Sequence, residues 1–316
     1  MELQLDLDKA RNWRKYETNR WVDFIELNCL YGEDRLVSHD DVLLWLNDLS
    51  ADQSSSGDES VDIAAESDSC NARIDDFFSR LKYREKMFGE QYPFFVKERN
   101  LLEVKPDKKS SCIIYKYLLL CSSIAFIGYA DRAEITRSFE KICSFIFRTL
   151  MPPIAKTEIF GTSEKSCLFQ GRDLKGRIEE LAKFLGTQTS KVFDKSKRYH
   201  TGGGDSGLDI VACVQLDNAQ NRPFAFGQCT CSYVEWKKKQ ESISQDKWNK
   251  ILSPLLPYWQ FMYVPFSCRD AVGELEDIAE IQTCVIDRER ILKLVGCLNQ
   301  DEINEVLDTV KKYFVQ

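Results

Sequence analysis

The sequence predicts a mostly α-helical N-terminal half followed by an α/β half. Apolar residues recur at helical spacing through most of the chain before Pro152, whereas short runs rich in β-branched and aromatic residues follow it. Pro152 and Pro153 end the last N-terminal helical pattern, because proline cannot continue a helix. We therefore expect a helical domain over 1–152 and an α/β domain over 153–316.

The N-terminal half contains several helical patterns and two β-like runs. Ser38 is the expected N-cap of the second helix. Between Asp48 and Asp68 the chain has seven acidic residues, a serine run and neither Lys nor Arg, which predicts an exposed acidic, serine-rich loop over 48–70. The expected helices are Arg11–Tyr31, Val42–Leu49, Asn71–Phe88, Ile113–Phe126 and Ile135–Leu150, and the β-like runs are Tyr92–Val96 and Leu101–Val104.

Helical spacing and β-rich runs also predict the elements of the α/β half. A helical pattern over Leu174–Leu185 precedes two apolar β-rich runs that are joined by a polar turn. The expected strands are Leu208–Val214, Phe224–Thr230, Tyr258–Val264 and Ile281–Ile286, and the later helices are Val234–Leu252, a helix from Asp287 to Leu298, and Glu302–Phe314.

Composition limits the classes of protein that are possible. The chain has 316 residues, is 43% hydrophobic and carries a net charge of −7, which excludes wholesale disorder and a generally basic surface. The N-terminus lacks an apolar signal-peptide core, and the apolar stretch 112–130 contains Lys116, so we expect a cytoplasmic protein without a membrane span. Several of the twelve cysteines are expected to be small buried hydrophobes, namely Cys112, Cys121, Cys143 and Cys297.

One stretch carries recognisable chemistry. A glycine-rich turn over Gly202–Gly207 delivers Asp209 to the start of a predicted strand, and the next predicted strand contains Gln228. Two adjacent strands that present oxygen ligands at matching height form a divalent-cation site, because Mg²⁺ prefers hard oxygen donors. A hydrolase can use such an ion to activate water and to neutralise charge on a phosphodiester.

These residues resemble the PD-(D/E)xK nuclease superfamily, and within it the Mrr-like restriction branch, over roughly residues 170–295. The resemblance implies a restriction-endonuclease-like mixed sheet and a metal-dependent DNA endonuclease, or the nuclease subunit of a prokaryotic anti-phage defence system. Asp209 matches the metal-binding Asp and Gln228 the second acidic position. Glu179 matches the helix carboxylate, and it is preferred to Glu180 because it flanks the apolar face while Glu180 is expected to point further into solvent.

The resemblance also implies a ligand set and reveals a departure from the family pattern. Mg²⁺ or Mn²⁺ would be held by Glu179, Asp209, Gln228 and the carbonyl of Cys229. The family has a catalytic lysine two residues after the Gln position, where this chain has Thr230. A displaced lysine could replace it, although the candidates could equally contact phosphates or form a solvated helix face; they are Lys237, Lys238 and Lys239.

Local charge in this region fits two readings equally well: a patch that binds DNA phosphates beside the metal, and an ordinary charged helix and loop. Residues 165–199 contain nine Lys or Arg against four Asp or Glu, so an otherwise acidic chain has a basic segment here. Candidate phosphate contacts lead into the glycine-rich turn and are Lys191, Lys195, Lys197 and Arg198. The alternative function is a catalytically inactive nuclease-like fold that binds nucleic acid or acts as a scaffold, with the N-terminal helices docking a partner protein. A coincidental likeness in an unrelated α/β protein is a third reading.

Overall fold

The computed structural model describes residues 17–51, 63–106, 112–160, 168–169, 171, 173–196, 206–217 and 219–311. The protein is a mixed α/β molecule with a five-stranded mixed sheet and a small antiparallel sheet. The chain divides into two compact units. The first unit comprises Met1–Arg132 and Phe266–Glu276, and the second comprises Ala133–Pro265 and Asp277–Gln316.

The first unit combines helices with the three-stranded antiparallel sheet, whose strand order is β1-β3-β2. Trp21 stacks on Phe77 with 6.1 Å between ring centroids, and both side chains are buried in its core. The helices of this unit are α1 (Thr18–Tyr31), α2 (His39–Ala51), α3 (Ile63–Phe88) and α4 (Ile113–Ser122), and its strands are β1 (Leu36–Val37), β2 (Phe94–Lys97) and β3 (Leu101–Val104).

A buried ionic cluster lies at the centre of the first unit. Arg84 Nη1 on α3 donates to Asp23 Oδ1 at 2.7 Å and to Glu26 Oε2 at 2.9 Å, and both carboxylates belong to α1. The hydroxyls of Tyr92 and Tyr115 donate to Glu26 Oε1 at 2.7 and 2.8 Å. All five side chains are almost completely buried, so these bonds replace the water that the charged groups lose on folding.

The segment Phe266–Glu276 belongs to the first unit although it follows a strand of the second along the chain. The side-chain amide of Asn19 donates to Arg269 O at 2.8 Å and to Glu276 Oε2 at 2.9 Å. The Arg80 guanidinium donates to the same carbonyl at 2.8 Å and to Glu276 Oε1 at 2.8 Å. Helices α1 and α3 therefore hold this late segment through both its backbone and its carboxylate.

The second unit is built on the mixed sheet with strand order β4-β5-β6-β7-β8. Strand β5 pairs antiparallel with both β4 and β6, whereas the β6–β7 and β7–β8 pairs are parallel. The ranges are β4 (Ala155–Ile159), β5 (Ile210–Val214), β6 (Phe224–Cys229), β7 (Trp259–Tyr263) and β8 (Cys284–Ile286).

Helices pack on both faces of this sheet. Helix α5 (Tyr129–Leu150) places Phe147 against Phe261 and Tyr263, with 5.5 and 6.3 Å between the ring centroids. Leucine and isoleucine side chains of α6 (Leu174–Leu185) share a separate core with Phe226. The remaining helices are α7 (Lys191–Lys195), α8 (Trp236–Lys239), α9 (Gln245–Trp248), α10 (Arg288–Val295) and α11 (Gln300–Val310).

The division into units differs from the boundary expected at Pro152. Helix α5 lies almost wholly in the second unit, because the side chain of Phe147 packs on that unit's sheet. Both ends of the acidic loop expected over 48–70 are helical instead, since α2 continues to Ala51 and α3 begins at Ile63; residues 52–62 lie outside the described chain. Most other predicted elements exist, with ends shifted by a few residues, but β1, β4 and α7 were not predicted.

The prediction of one helix over Val234–Leu252 is wrong. Helix α8 continues as a 3₁₀ turn over Gln240–Ile243, and Ser244 then adopts an extended backbone. The Ser244 side chain caps the new helix α9 by accepting from the Lys247 N–H at 3.3 Å.

Two further expectations concern cysteines and membrane spans. The eleven cysteines that the structure describes are free thiols. Cys121 and Cys143 are buried as predicted, whereas Cys112 is half-buried and Cys297 is exposed, which corrects the expectation for those two. Among the described residues, no helix is both long enough and apolar enough to cross a membrane.

Candidate functional site

Asp209 and Gln228 meet where β5 begins and β6 ends. Gln228 Nε2 donates to Asp209 Oδ2 at 2.7 Å, and the backbone N–H of Cys229 donates to the same oxygen at 2.7 Å. The backbone of Asp209 extends the ladder, because its N–H donates to Gly227 O at 3.1 Å. Each of the two side chains is 5% exposed. The sequence therefore correctly placed these two residues together on neighbouring strands.

Both side chains lie on the face of the sheet that α6 covers. Phe226 and Val211 belong to the core that includes α6, and alternate residues of a strand share a face. Gln228 therefore shares the face of Phe226, and Asp209 shares that of Val211. The opposite face belongs to Gly227, where a Cβ would lie 3.6 Å from the ring of Phe147 on α5.

A left-handed turn brings the chain to Asp209. Ser206 and Gly207 have φ values of 57° and 70°, and a Cβ on Gly207 would lie 2.7 Å from Ser242 Cβ. Only glycine fits here, since both the backbone conformation and the neighbouring side chain exclude a Cβ. The amine of Lys247 also binds this turn, because it donates to the carbonyl of Ser206. The earlier glycines of the turn, Gly202–Gly204, lie outside the described residues.

The lysines of α8 have three different environments. Lys239 Nζ lies 3.2 Å from Thr230 Oγ1, and Thr230 stands where the resembled family has its lysine. Lys237 instead binds Asp277 Oδ2 at 2.6 Å and Glu280 Oε2 at 2.9 Å. Burial alone would lower the pKa of Lys237, but these two hydrogen bonds raise it above the usual value. Lys238 is exposed.

Among the three lysines of α8, Lys239 is the one whose amine contacts Thr230, two residues after Gln228. Its ammonium group also lies 3.7 Å from Glu235 Oε2, and about two-fifths of its side chain is exposed. Of the other two candidate lysines, Lys237 binds two carboxylates and Lys238 faces solvent. The sequence did include Lys239 among its candidates, but nothing in the spacing distinguished it.

The helix carboxylate does not join Asp209 and Gln228 as expected. Glu179 on α6 is exposed and pairs with Lys175 at 3.7 Å. Glu180 is half-buried, and its Oε2 accepts the backbone N–H of Gly171 at 3.0 Å. The expectation that Glu180 points further into solvent than Glu179 is therefore wrong. The reason is that the Glu180 carboxylate is held by the backbone of Gly171, which lies against α6.

Cys229 contributes its backbone rather than its thiol. Burial raises the pKa of the Cys229 thiol well above its usual value, and a side-chain hydrogen bond with Cys143 raises it further. The thiol is therefore neutral near pH 7 and is not a nucleophile. The nearby carboxylates of Asp209 and Glu140 also raise this pKa. Glu140, a half-buried residue of α5, is an acidic neighbour that the sequence gave no reason to select.

The oxygen atoms at this site are of the chemical kind that a hard divalent cation binds. The Asp209 carboxylate and the Gln228 amide meet directly, and Gln228 Nε2 also lies 3.1 Å from the carbonyl oxygen of Cys229. These three groups can supply oxygen ligands to one ion, provided that the amide turns its oxygen rather than its nitrogen toward Asp209. Within the described part of the chain, no group of three or more His, Cys, Asp or Glu side chains is arranged to hold a metal.

The basic segment is described only in part. Lys191 and Lys195 lie on α7 and are exposed, as phosphate contacts must be. Lys197 and Arg198 lie outside the described residues.

Ser242 is the residue that sequence reasoning missed most clearly. Its Oγ lies 3.0 Å from Gln228 Oε1 and 2.7 Å from Gly207 O, so it joins the end of β6 to the turn. Its only signal in the sequence was its place in a helical pattern that the structure breaks.

The chain was compared with protein-family models, with curated proteins and with solved structures, and none of the three comparisons gives a match.

Proposed function

We propose that the second unit is a restriction-endonuclease-like domain that hydrolyses DNA phosphodiesters with the help of Mg²⁺ or Mn²⁺. The observation that carries the proposal is the position of Lys239, whose amine lies 3.2 Å from the side chain of Thr230. The resembled family needs a cation at this place, and the proposal assigns that role to Lys239 on the neighbouring helix. The antiparallel β5–β6 pair that carries Asp209 and Gln228, followed by the parallel β7, also agrees with the proposed fold.

The ligands proposed for the ion are the Asp209 carboxylate, the Gln228 amide oxygen and the Cys229 carbonyl. When bound, a divalent ion lowers the pKa of water and neutralises charge on the phosphodiester. Asp209 supplies the negative charge that holds the ion. The low exposure of Asp209 and Gln228 keeps bulk water away from the two side chains, which strengthens each electrostatic contact.

Lys239 has the proposed role of stabilising the negative charge that develops on the phosphate. Its amine is held by Thr230 Oγ1 and faces the exposed Glu235 at 3.7 Å. A phosphate oxygen can replace that weak and solvated contact with Glu235, because the 3.7 Å between Lys239 Nζ and Glu235 Oε2 is too long for a hydrogen bond. DNA would contact the exposed Lys191 and Lys195 through its backbone, without sequence information.

One observation favours the alternative of a catalytically inactive module. The third carboxylate of the expected site, Glu179, is exposed and paired with Lys175. Such a domain would still bind nucleic acid through its basic segment. Alternatively, it would act as a scaffold, with a partner protein docked on the helices of the first unit. Catalysis and binding must therefore be measured separately.

Replacing the amine of Lys239 should separate DNA cleavage from DNA binding. We expect Lys239→Met to reduce DNA cleavage by roughly 10²-fold, the loss typical of one electrostatic catalytic group. DNA affinity should fall much less, since it is spread over many phosphate contacts. The measurements are the initial rate of plasmid cleavage in Mg²⁺ and the dissociation constant for a duplex in Ca²⁺, both at fixed salt.

Lys237→Met and Lys238→Met are the matched controls, because they remove the same charge from the same short helix. Lys237 binds Asp277 and Glu280, and Lys238 is exposed, so each variant should retain most of the activity. Equal losses in all three variants would assign these lysines to general phosphate attraction and would contradict the role proposed for Lys239.

A further inference from the structure

The Gln228 amide has an orientation that a bound cation would not tolerate. Its nitrogen, not its oxygen, faces Asp209 Oδ2 at 2.7 Å, while its oxygen faces the hydroxyl of Ser242 at 3.0 Å. This arrangement suits the protein without an ion, because the amide N–H compensates the buried carboxylate. A cation at Asp209 would instead repel the N–H and attract the amide oxygen.

The opposite orientation is unfavourable without an ion. Turning the amide would place its oxygen against the Asp209 carboxylate, with two acceptors in contact and no proton between them. A cation between the two oxygens removes that repulsion. The amide of Gln228 therefore has two arrangements, and the presence of an ion determines which one is stable.

Ser242 is suited to both arrangements. A hydroxyl donates one hydrogen bond and accepts others, and Ser242 Oγ has three carbonyl-type oxygens in range. They are Gln228 Oε1 at 3.0 Å, Gly207 O at 2.7 Å and Lys239 O at 2.6 Å. With the amide reversed, Gln228 Nε2 can donate to Ser242 Oγ while the hydroxyl donates to the carbonyl of Gly207 or Lys239.

We infer that Ser242 is a positioning residue that pairs with the Gln228 amide in both orientations, and so allows Gln228 to reverse when a divalent cation binds at Asp209. The inference rests on the proposed function and identifies how the same site accommodates its ion. This position of Ser242 requires glycine at residue 207, since the Ser242 side chain occupies the space that a Cβ at Gly207 would need. Without Ser242, the reversed amide would leave a buried N–H with no acceptor, and the ion would bind more weakly.

The test is Mn²⁺ binding by the full chain, measured by isothermal titration calorimetry. We expect Ser242→Ala to weaken Mn²⁺ binding by about 10-fold or more, the cost of one unpaired buried donor. Ser244→Ala is the matched control, because Ser244 is also half-buried but caps α9 through the Lys247 N–H instead. It should leave Mn²⁺ affinity unchanged within about 2-fold, as expected for a site without shared partners.

A double-mutant cycle distinguishes positioning from general damage. Gln228→Glu replaces the amide with a carboxylate, which has no N–H that needs an acceptor in the ion-bound state. In that background, Ser242→Ala should cost Mn²⁺ affinity little or nothing, so the two substitutions are strongly non-additive. An equal loss from Ser242→Ala in both backgrounds would overturn the inference.

The cycle also separates this inference from the proposed function. Asp209→Asn should abolish Mn²⁺ binding, and if it does while Ser242→Ala binds normally, the inference fails and the proposed site stands. If Asp209→Asn leaves Mn²⁺ binding unchanged, the proposed ion site and the inference both fail.

Nuclear magnetic resonance of the wild-type protein covers the case in which Ser242→Ala does not fold. The chemical shifts of the Gln228 side-chain amide protons should change when Mg²⁺ is added, because their hydrogen-bond partner changes from the Asp209 carboxylate to the Ser242 hydroxyl. Those of Gln240, whose amide is buried and bound to the carbonyls of Lys237 and Glu280, should not. Gln228 signals that stay unchanged at Mg²⁺ saturation would overturn the inference.

Discussion

Asp209→Asn is expected to reduce DNA cleavage by about 10³-fold or more, because a bound metal ion contributes several kcal/mol to such reactions and each ~1.4 kcal/mol changes a rate tenfold. Asn has the shape of Asp but lacks the charge that holds the ion. Its oxygen can still accept the Cys229 N–H, a bond of 2.7 Å in the wild-type chain. The loss should therefore be one of catalysis rather than of folding.

The control for this variant is Asp217→Asn. Asp217 is an exposed aspartate that follows β5, and its carboxylate accepts the backbone N–H of Ala219 at 2.8 Å. That substitution should leave cleavage and thermal unfolding nearly unchanged. A cleavage rate for Asp209→Asn within a few-fold of the wild type, measured on the same plasmid in Mg²⁺, would contradict the site.

Arg84→Met should destabilise the first unit by about 3–5 kcal/mol, the cost of breaking a buried ion pair by removing one partner. Arg84 is the guanidinium that contacts both Asp23 and Glu26, and its removal leaves two carboxylates in a buried cluster. The remaining hydroxyls of Tyr92 and Tyr115 cannot supply a positive charge. Equilibrium urea unfolding, followed by circular dichroism, measures the change.

Lys82→Met provides the comparison for Arg84→Met, because Lys82 is an exposed cation of the same helix. Substitutions at such surface positions usually change stability by less than about 0.5 kcal/mol. If the two variants unfold at the same urea concentration, the buried cluster contributes nothing specific to the first unit.

The sequence predicted the pairing of Asp209 with Gln228 because local patterns determine it. A strand alternates its faces every second residue, so two neighbouring apolar strands with one polar residue each place those residues at a predictable height. The residues around the pair were harder to assign. Lys239 could not be distinguished from Lys237, since the choice depends on the 3₁₀ turn after α8 and on the carboxylates of Asp277 and Glu280.

Long-range burial explains what else was missed. Asp23 and Glu26 belong to an amphipathic helix in which charged residues normally face solvent. Their burial depends on Arg84, about sixty residues further along the chain, which no local pattern connects to them. The exposure of Glu179 relative to Glu180 has a similar origin, because contact with the chain at Gly171 determines it.

The most direct test of the central claim is cleavage of closed-circular plasmid DNA by the purified full chain. The reaction is run with Mg²⁺, with Mn²⁺ and with EDTA, at enzyme excess and low salt, with and without any protein encoded beside it in its genome. The account predicts nicked and linear products with either cation, none in EDTA, and none with Asp209→Asn. Plasmid that stays intact under every condition, although the wild-type chain binds DNA, would contradict catalysis and would favour the inactive nucleic-acid-binding module.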